Sequence, residues 1–156
     1  MKKIKLFIAV ILICVAGNLS ALDGLFFGVG PEVSAYTREG VAVGGSLVAG
    51  LELNPQFATG LKLDYFYDLD TVNAMDAQAF FRYSLPLMGL FLQAEAGLVA
   101  FFEHGETFPS FSAGLSAGWR YKLSQDLFIE PAVRFGYPNI WAVGILAGYK
   151  FSLGKD

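Results

Sequence analysis

Hydrophobic and polar residues alternate along most of the chain with a period of two. From Leu25 onward the alternation forms eight runs of about ten residues, separated by residues that favour turns. The runs are 25–36, 41–53, 57–67, 74–85, 90–102, 110–123, 127–137 and 141–151. A period of two is typical of β-strands, because successive side chains point to opposite faces. The pattern predicts eight antiparallel strands joined as consecutive hairpins in one domain.

Each predicted strand has one apolar face and one polar face. The apolar face carries residues such as Leu61, Leu115 and Val133 and no charged residue. The other face carries six acids and six bases, which are Glu32, Glu52, Lys62, Asp64, Asp76, Arg82, Glu95, Arg120, Lys122, Glu130, Arg134 and Lys150. Most glycines of the runs also fall on this polar face, where small residues suit the concave wall of a narrow cylinder.

Two architectures place an apolar face opposite a polar one. One is a secreted β-sandwich or lipocalin-like barrel with its charges outside, and the other is a membrane barrel with its charges inside. Balanced charge suits a lumen, and aromatic residues near the strand ends suit the two membrane interfaces. These aromatics are Tyr67, Phe102, Phe111, Tyr137 and Trp141 at one end and Phe57, Tyr83, Tyr121, Tyr149 and Phe151 at the other. The sequence therefore favours an all-β, eight-stranded, antiparallel up-and-down transmembrane β-barrel.

Composition supports a membrane protein that lacks a spanning helix. The chain is 54% hydrophobic with a mean hydropathy of +0.49. Beyond the N-terminal region, however, the longest stretch without Asp, Glu, Lys, Arg or His is 135–149, which contains Pro138. A transmembrane helix needs about 20 apolar residues, so this stretch does not provide one. The apolar residues must therefore be arranged in strands.

The N-terminal region is typical of a secretory signal peptide. Residues 1–5 carry three lysines, 6–16 are apolar, and 17–21 are small or polar apart from Leu19. We expect cleavage after Ala21, which gives a signal peptide of 1–21 and a barrel domain of 22–156. The only cysteine, Cys14, leaves a lipoprotein-type cut as an alternative, although Ile13 before it disfavours that cut. Without the leader lysines, 14 acids face 8 bases, a charge near −6 that argues against a nucleic-acid partner.

The last strand carries the most specific motif in the chain. Its sequence, 141–151, alternates apolar residues and ends on the aromatics Tyr149 and Phe151. In this element, and in the leader and eight runs, the chain resembles the small eight-stranded outer-membrane proteins that include the OmpA membrane domain, OmpX and OmpW. It departs from their C-terminal assembly signal at Leu146, where a glycine is usual, and in the extension 152–156. The resemblance implies location in the cell outer membrane, contact with its lipid, and assembly as a monomer by periplasmic chaperones and the barrel assembly machinery.

Up-and-down topology places four connections at one end of the barrel. Since an even number of strands returns both termini to the periplasmic side, the connections 37–40, 68–73, 103–109 and 138–140 are expected to face outward. The longest of them holds the only histidine, His104, between Glu103 and Glu106, with Thr107 and Ser110 as the nearest hydroxyls. One histidine with two carboxylates lacks a committed metal-ligand set. We therefore predict no enzyme activity, no metal and no cofactor.

Hairpin geometry predicts a belt of alternating charge inside the barrel. If Gln125 is the centre of its turn, Arg120 faces Glu130 across neighbouring strands. The same construction places Arg82 opposite Gln93 and diagonal to Glu95. It places Glu95 opposite Gly118 and diagonal to Arg120. It also places Glu130 opposite Gly148 and diagonal to Lys150. The predicted belt is Arg82, Glu95, Arg120, Glu130 and Lys150, with Arg120 as its most sensitive member.

Three functional classes fit this sequence. The first is a structural or barrier-supporting barrel, because eight strands enclose an interior that side chains fill. The second is a narrow pore or transporter for small polar solutes, since the predicted lumen is charged. The third is a surface adhesin or ligand-binding barrel, which would use the outer loops.

Overall fold

A computed structural model describes residues 23–36, 40–67, 72–86, 89–103 and 105–153. The predicted signal peptide, residues 37–39 and 68–71 of the expected outer connections, and His104 lie outside these residues. The strands are β1 (Gly24–Tyr36), β2 (Gly40–Glu52), β3 (Phe57–Tyr67), β4 (Asn73–Ser84), β5 (Leu90–Glu103), β6 (Glu106–Trp119), β7 (Tyr121–Lys122), β8 (Leu127–Tyr137) and β9 (Asn139–Ser152). Within the described ranges, no helix has the length and apolar character needed to cross a membrane.

The strands form one closed antiparallel sheet. Strands β1 to β6 pair in sequence order, β8 pairs with both β7 and β9, and the pairs β1–β9 and β6–β8 close the sheet. β6 and β7 are two parts of one strand, because they share one register against β8 and are interrupted only at Arg120. Pro131 lies in β8 beside this interruption, where it supplies no N–H to the ladder. The predicted eight-stranded up-and-down barrel is therefore confirmed.

Both ends of the described chain lie at one end of the barrel. Gly24 pairs with Ser152, so we call this the terminal end and the opposite one the distal end. The first and last strands are thereby hydrogen-bonded to each other along most of their length. This pairing leaves no open edge at the point where the chain closes on itself, which is the requirement for a sheet surrounded by lipid.

The outer surface of the barrel is apolar along the strands. Leu115 is 69% exposed and Leu61 is 62% exposed, and both lie near the middle of their strands. Aromatic side chains pack in pairs at the terminal end, with ring centroids 5.3 Å apart for Phe57–Tyr83 and 4.6 Å apart for Tyr149–Phe151. The buried residues, in contrast, include the charged side chains. A water-soluble sandwich has the opposite arrangement, so the structure excludes that alternative.

The hairpin between β5 and β6 is longer than the sequence predicted. The expected loop 103–109 is mostly strand, because β5 continues to Glu103 and β6 begins at Glu106, its direct partner. Gly105 makes the tight turn possible with a φ of 86°, a backbone conformation that disfavours other residues. Pro109 is tolerated in β6 because this part of the strand has no partner in β8, whose pairing begins at Ala113.

Phenylalanine rings inside the barrel lie on glycines of the neighbouring strand. In each case the two residues are direct cross-strand partners, and the ring occupies the space that a Cβ would fill. The five pairs are Phe26–Gly50, Phe66–Gly44, Phe80–Gly60, Phe91–Gly118 and Phe128–Gly148. This packing accounts for these five glycines of the polar face, which make room for aromatic rings in a narrow lumen.

We expect Gly148→Ala to destabilise the barrel by about 1–3 kcal/mol, the range found for overpacked cores. Its Cβ would lie 2.1 Å from the Phe128 ring and 2.6 Å from the backbone oxygen of Phe27. Urea unfolding in lipid vesicles measures the effect. The matched control is Gly28→Ala, because Gly28 is the cross-strand partner of Gly148 but its Cβ would meet nothing closer than 3.6 Å. Equal midpoints for the two variants would contradict the proposed ring-on-glycine packing.

Candidate functional site in the charged lumen

Two clusters of charged side chains fill the interior. The distal cluster consists of Glu32, Lys62, Asp64, Asp76, Glu95 and Arg134, and the terminal cluster of Glu52, Arg82, Arg120, Glu130 and Lys150. These side chains come from all eight barrel strands, because each strand points alternate residues inward. The lumen is therefore the place where the sequence concentrates polar chemistry, and we treat it as the candidate functional site.

Arg134 is the centre of the distal cluster. Its side chain is 4% exposed, and its guanidinium nitrogens lie 3.0 Å from Asp64, 3.1 Å from Glu32 and 3.3 Å from Glu95. Lys62 adds contacts of 2.7 Å to Glu32 and 3.3 Å to Asp64. Four carboxylates thus share two cations, and this cluster carries an excess of negative charge.

The terminal cluster has the opposite imbalance. Arg82 lies 2.8 Å from Glu130, which also accepts a hydrogen bond from Arg120. Arg120 reaches Glu52 at 2.6 Å, and Glu52 also pairs with Lys150. Three cations therefore share two carboxylates. The six-to-six charge balance of the sequence is distributed unevenly along the lumen, acidic toward the distal end and basic toward the terminal end.

Aromatic rings hold the arginines of the terminal cluster in place. The Arg82 guanidinium carbon lies 3.9 Å from the centroid of the Phe91 ring, and that of Arg120 lies 4.2 Å from Phe128 and 4.5 Å from Phe26. Cation–π contacts at these distances are favourable, and more so when the pair is shielded from water. The aromatic residues therefore both fill the lumen and orient its cations.

A second aromatic group closes the lumen above the distal cluster. The ring of Tyr36 lies 5.7 Å from that of Phe66 and 5.5 Å from that of Phe101, both in edge-to-face contact. Phe66 is completely buried, and Val99 and Ala74 pack beside it. The distal cluster is therefore enclosed by apolar residues on the side away from the terminal end.

The free space in the lumen is divided into unequal parts. At the terminal end, an open vestibule of about 720 Å³ is lined by Glu52, Arg120, Lys122 and Lys150 among others. Between the two charge clusters, a cavity of about 30 Å³ remains beside Arg82, Glu130 and Arg134. That volume matches about one water molecule. Arg82 and Phe91 line both spaces, so the vestibule meets the small cavity at these two side chains.

The structure brings part of the predicted belt together. The register of β6, β7 and β8 sets Arg120 level with Glu130, and their side chains are in contact. Arg82 is the direct partner of Gln93, as predicted, and its Nε donates a hydrogen bond of 2.7 Å to the Gln93 side chain. Arg82 also reaches Glu130 across the lumen, a contact between non-neighbouring strands that hairpin geometry does not give.

Two of the predicted neighbours are wrong. Glu95 lies opposite Gly114 rather than Gly118, because the β5–β6 turn is tighter than expected, and it contacts Arg134 instead of Arg120. Glu130 lies opposite Leu146 rather than Gly148, and Lys150 pairs with Glu52 instead. Both register shifts are even numbers of residues, so every side chain keeps its predicted face.

The sequence interpretation missed the distal cluster as a unit. Its residues were assigned to the inner face, but only Glu95 entered the predicted belt. One signal was present: the turn 68–73 is centred close to residue 70, and folding the chain about that point sets Asp64 beside Asp76, which are indeed direct partners. Their contacts with Arg134 join β3 and β4 to β8 across the lumen, and no local pattern predicts them.

The described ranges cover only part of the residues considered for surface chemistry. Ser110 lies in β6, where its hydroxyl has only a 3.5 Å contact with the neighbouring Phe111 oxygen, and His104 lies outside the described residues. Among the residues that the structure describes, no group of three His, Cys, Asp or Glu side chains has a geometry that could hold a metal ion. Tyr149 and Phe151 of the predicted assembly signal lie on the outer face of β9 and are exposed.

A closed eight-stranded barrel with an apolar outside and a charged inside has the fold of the small outer-membrane β-barrels. Among solved structures, OprG from Pseudomonas aeruginosa matches with a TM-score of 0.65 at 11% identity, over 83% of this chain and 96% of that chain. Neisserial surface protein A matches at 0.58 and 13% identity, over 83% and 96%. Ail, the attachment invasion locus protein of Yersinia pestis, in complex with the heparin analogue sucrose octasulfate, matches at 0.58 and 14% identity, over 83% and 99%. No protein-family profile and no curated protein sequence matches the chain.

Proposed function

We propose that this protein is an integral outer-membrane barrel with a structural or barrier-supporting role and no catalytic activity. The observation that carries the proposal is the filled lumen. Ion pairs and aromatic rings occupy it from the terminal cluster to Phe66, and the cavity between the charge clusters, at about 30 Å³, has the volume of about one water molecule. A barrel of this kind seals the membrane it occupies.

Location in the outer membrane is part of this proposal. The barrel is apolar where it would meet hydrocarbon, and its fold is shared with outer-membrane proteins of several bacteria. In addition, the N-terminal residues are typical of an export signal. Periplasmic chaperones and the barrel assembly machinery are the partners that such a route requires, with Tyr149 and Phe151 as the recognised end of the last strand.

A narrow pore for small polar solutes is the second candidate. The open vestibule at the terminal end favours it, because solutes entering there would meet Arg120, Lys122 and Lys150. To pass further they would have to displace the pair of Arg82 with Glu130 and then the contacts of Arg134. The pore candidate therefore needs a second arrangement of these side chains.

Planar-bilayer recording of the refolded wild-type protein tests the proposal. The sample is first required to show a band shift between unboiled and boiled gel lanes, which demonstrates a folded barrel. We expect no steady conductance, since ion pairs and aromatic rings fill the lumen, while a porin refolded in the same way conducts. A steady wild-type conductance whose ion selectivity changes in Arg134→Gln would show that ions pass the distal cluster, and the pore would then replace the structural role.

A further inference from the structure

Asp64 and Asp76 form a buried pair of like charges. They are direct cross-strand partners on β3 and β4, with 2% and 1% of their surfaces exposed. Directly opposed residues of an antiparallel pair have Cβ atoms about 4.5–5.5 Å apart, and like charges at this separation are destabilising. Two ionised carboxylates at these positions would therefore need strong compensation from nearby cations.

The cations of the distal cluster do not supply that compensation for both. Lys62 and Arg134 both contact Asp64 Oδ2, at 3.3 Å and 3.0 Å. Asp76 has only a 3.9 Å approach from Arg134, and its Oδ2 accepts a hydrogen bond of 2.9 Å from Ser112. The same two cations also serve Glu32 and Glu95. Among the described residues, these four carboxylates form ion pairs with Lys62 and Arg134 only.

Each of the two aspartates also has a carboxylate oxygen without a hydrogen bond. Asp64 Oδ1 and Asp76 Oδ1 are buried without a hydrogen-bond partner. A buried acceptor left unpaired is destabilising, but a protonated carboxyl group is itself a donor. One proton between the two side chains would supply the missing hydrogen bond and remove one of the two excess negative charges.

Charged and polar side chains from the surrounding strands face this pair. Besides the two aspartates, the surrounding charged and polar side chains are Glu32 and Tyr36 on β1, Ser46 on β2, Lys62 on β3, Gln78 on β4, Glu95 on β5, Ser112 on β6, Arg134 on β8 and Asn139 on β9. We do not propose a metal ion as the ligand of this pair, because no group of three described His, Cys, Asp or Glu side chains has the geometry to hold one.

We propose that Asp64 and Asp76 share one proton at neutral pH, so that the distal cluster contains a buried proton-binding site. The site lies next to the aromatic group that contains Tyr36 and Phe66. Both aspartates are in contact with Arg134. The folded protein then holds a proton that the unfolded chain, whose carboxyl groups titrate at about pH 4, has already released. Proton binding is thereby coupled to folding of the barrel.

The sign of the pH dependence follows from this difference. Because the folded state binds more protons than the unfolded state, stability decreases as the pH rises through the neutral range. One extra bound proton raises the unfolding equilibrium constant by up to about tenfold for each pH unit. An ordinary ion-paired carboxylate has the opposite dependence, with stability lost as the pH falls.

Infrared spectroscopy and urea unfolding of Asp76→Asn test the proposal in lipid vesicles. Asparagine carries no charge, so the variant is expected to lose the carbonyl stretch of a protonated carboxylic acid that the wild type shows at pH 7. It is also expected to lose most of the stability change between pH 6 and pH 8. The matched control is Asp126→Asn, at a partly exposed turn position of the terminal end, which should keep both wild-type properties.

Asp64→Asn provides a second variant if Asp76→Asn fails to insert, and the same loss of the infrared band is expected. A wild-type spectrum without that band at pH 7 would overturn the proposal. The proposal would also be overturned if the stability of the wild type changed when sodium replaced choline at constant ionic strength. Such a change would mean that a metal cation, and not a proton, neutralises the cluster.

Discussion

Arg134→Ala is expected to destabilise the barrel by about 3–5 kcal/mol at neutral pH, the cost of removing one partner from a buried charge network. The substitution leaves Glu32 and Asp64 with Lys62 as their described ion-pair partner, and it removes the described ion pair of Glu95. Urea unfolding in lipid vesicles measures the change, with the fluorescence of the outward-facing Trp119 as a reporter. Proton uptake by the remaining carboxylates should reduce the loss as the pH is lowered.

Two comparisons make this expectation specific to Arg134. Lys122→Ala removes an exposed cation at the terminal end and should cost at most about 0.5 kcal/mol. Arg120→Ala should lie between the two, because Glu130 keeps Arg82 and Glu52 keeps Lys150. If Arg120→Ala proved more damaging than Arg134→Ala, the assignment of Arg134 as the centre of the lumen network would be wrong.

Leu115→Arg is expected to reduce the stability of the membrane-inserted barrel by about 2–4 kcal/mol, the cost of an arginine at the bilayer midplane. Leu115 is highly exposed on the outer face in the central part of β6, beside Ala94 and Phe135 of the adjacent strands. Folding into vesicles of defined lipid, followed by the gel band shift, measures the loss. Leu61→Arg and Val133→Arg should behave similarly, although Val133 is less exposed.

The control for this substitution has to lie outside the hydrocarbon region. Asn73, which the sequence assigned to a loop, is the first residue of β4 and has a buried side-chain oxygen, so it is unsuitable. Gln125 is exposed in the turn between β7 and β8, and Gln125→Arg should cost little. Equal tolerance of arginine at Leu115 and Gln125 would contradict a lipid-facing outer surface.

Strand positions were accessible from the sequence with small errors, but turn geometry was not. The runs 57–67 and 127–137 coincide with β3 and β8, because turn-forming residues bound them on both sides. The loop 103–109 was wrong because Gly105 and Pro109 are typical of a turn, yet Pro109 lies in a part of β6 that pairs with β5 and not with β8. Turn length sets the register, so this one error displaced Glu95 from its predicted partner.

The sequence by itself determined which side chains face the lumen and which face outward. An alternation of period two survives any register shift by an even number of residues, so the faces were correct even where the pairings were not. Only the tertiary structure decided which charges meet. The contacts of Arg82 with Glu130 and of Arg134 with Asp64 join strands that are not neighbours, and they form only when the sheet closes and brings opposite walls within side-chain reach. Closure also separates the balanced charges into an acidic and a basic cluster, because each strand contributes its inward residues at the height that register and tilt impose.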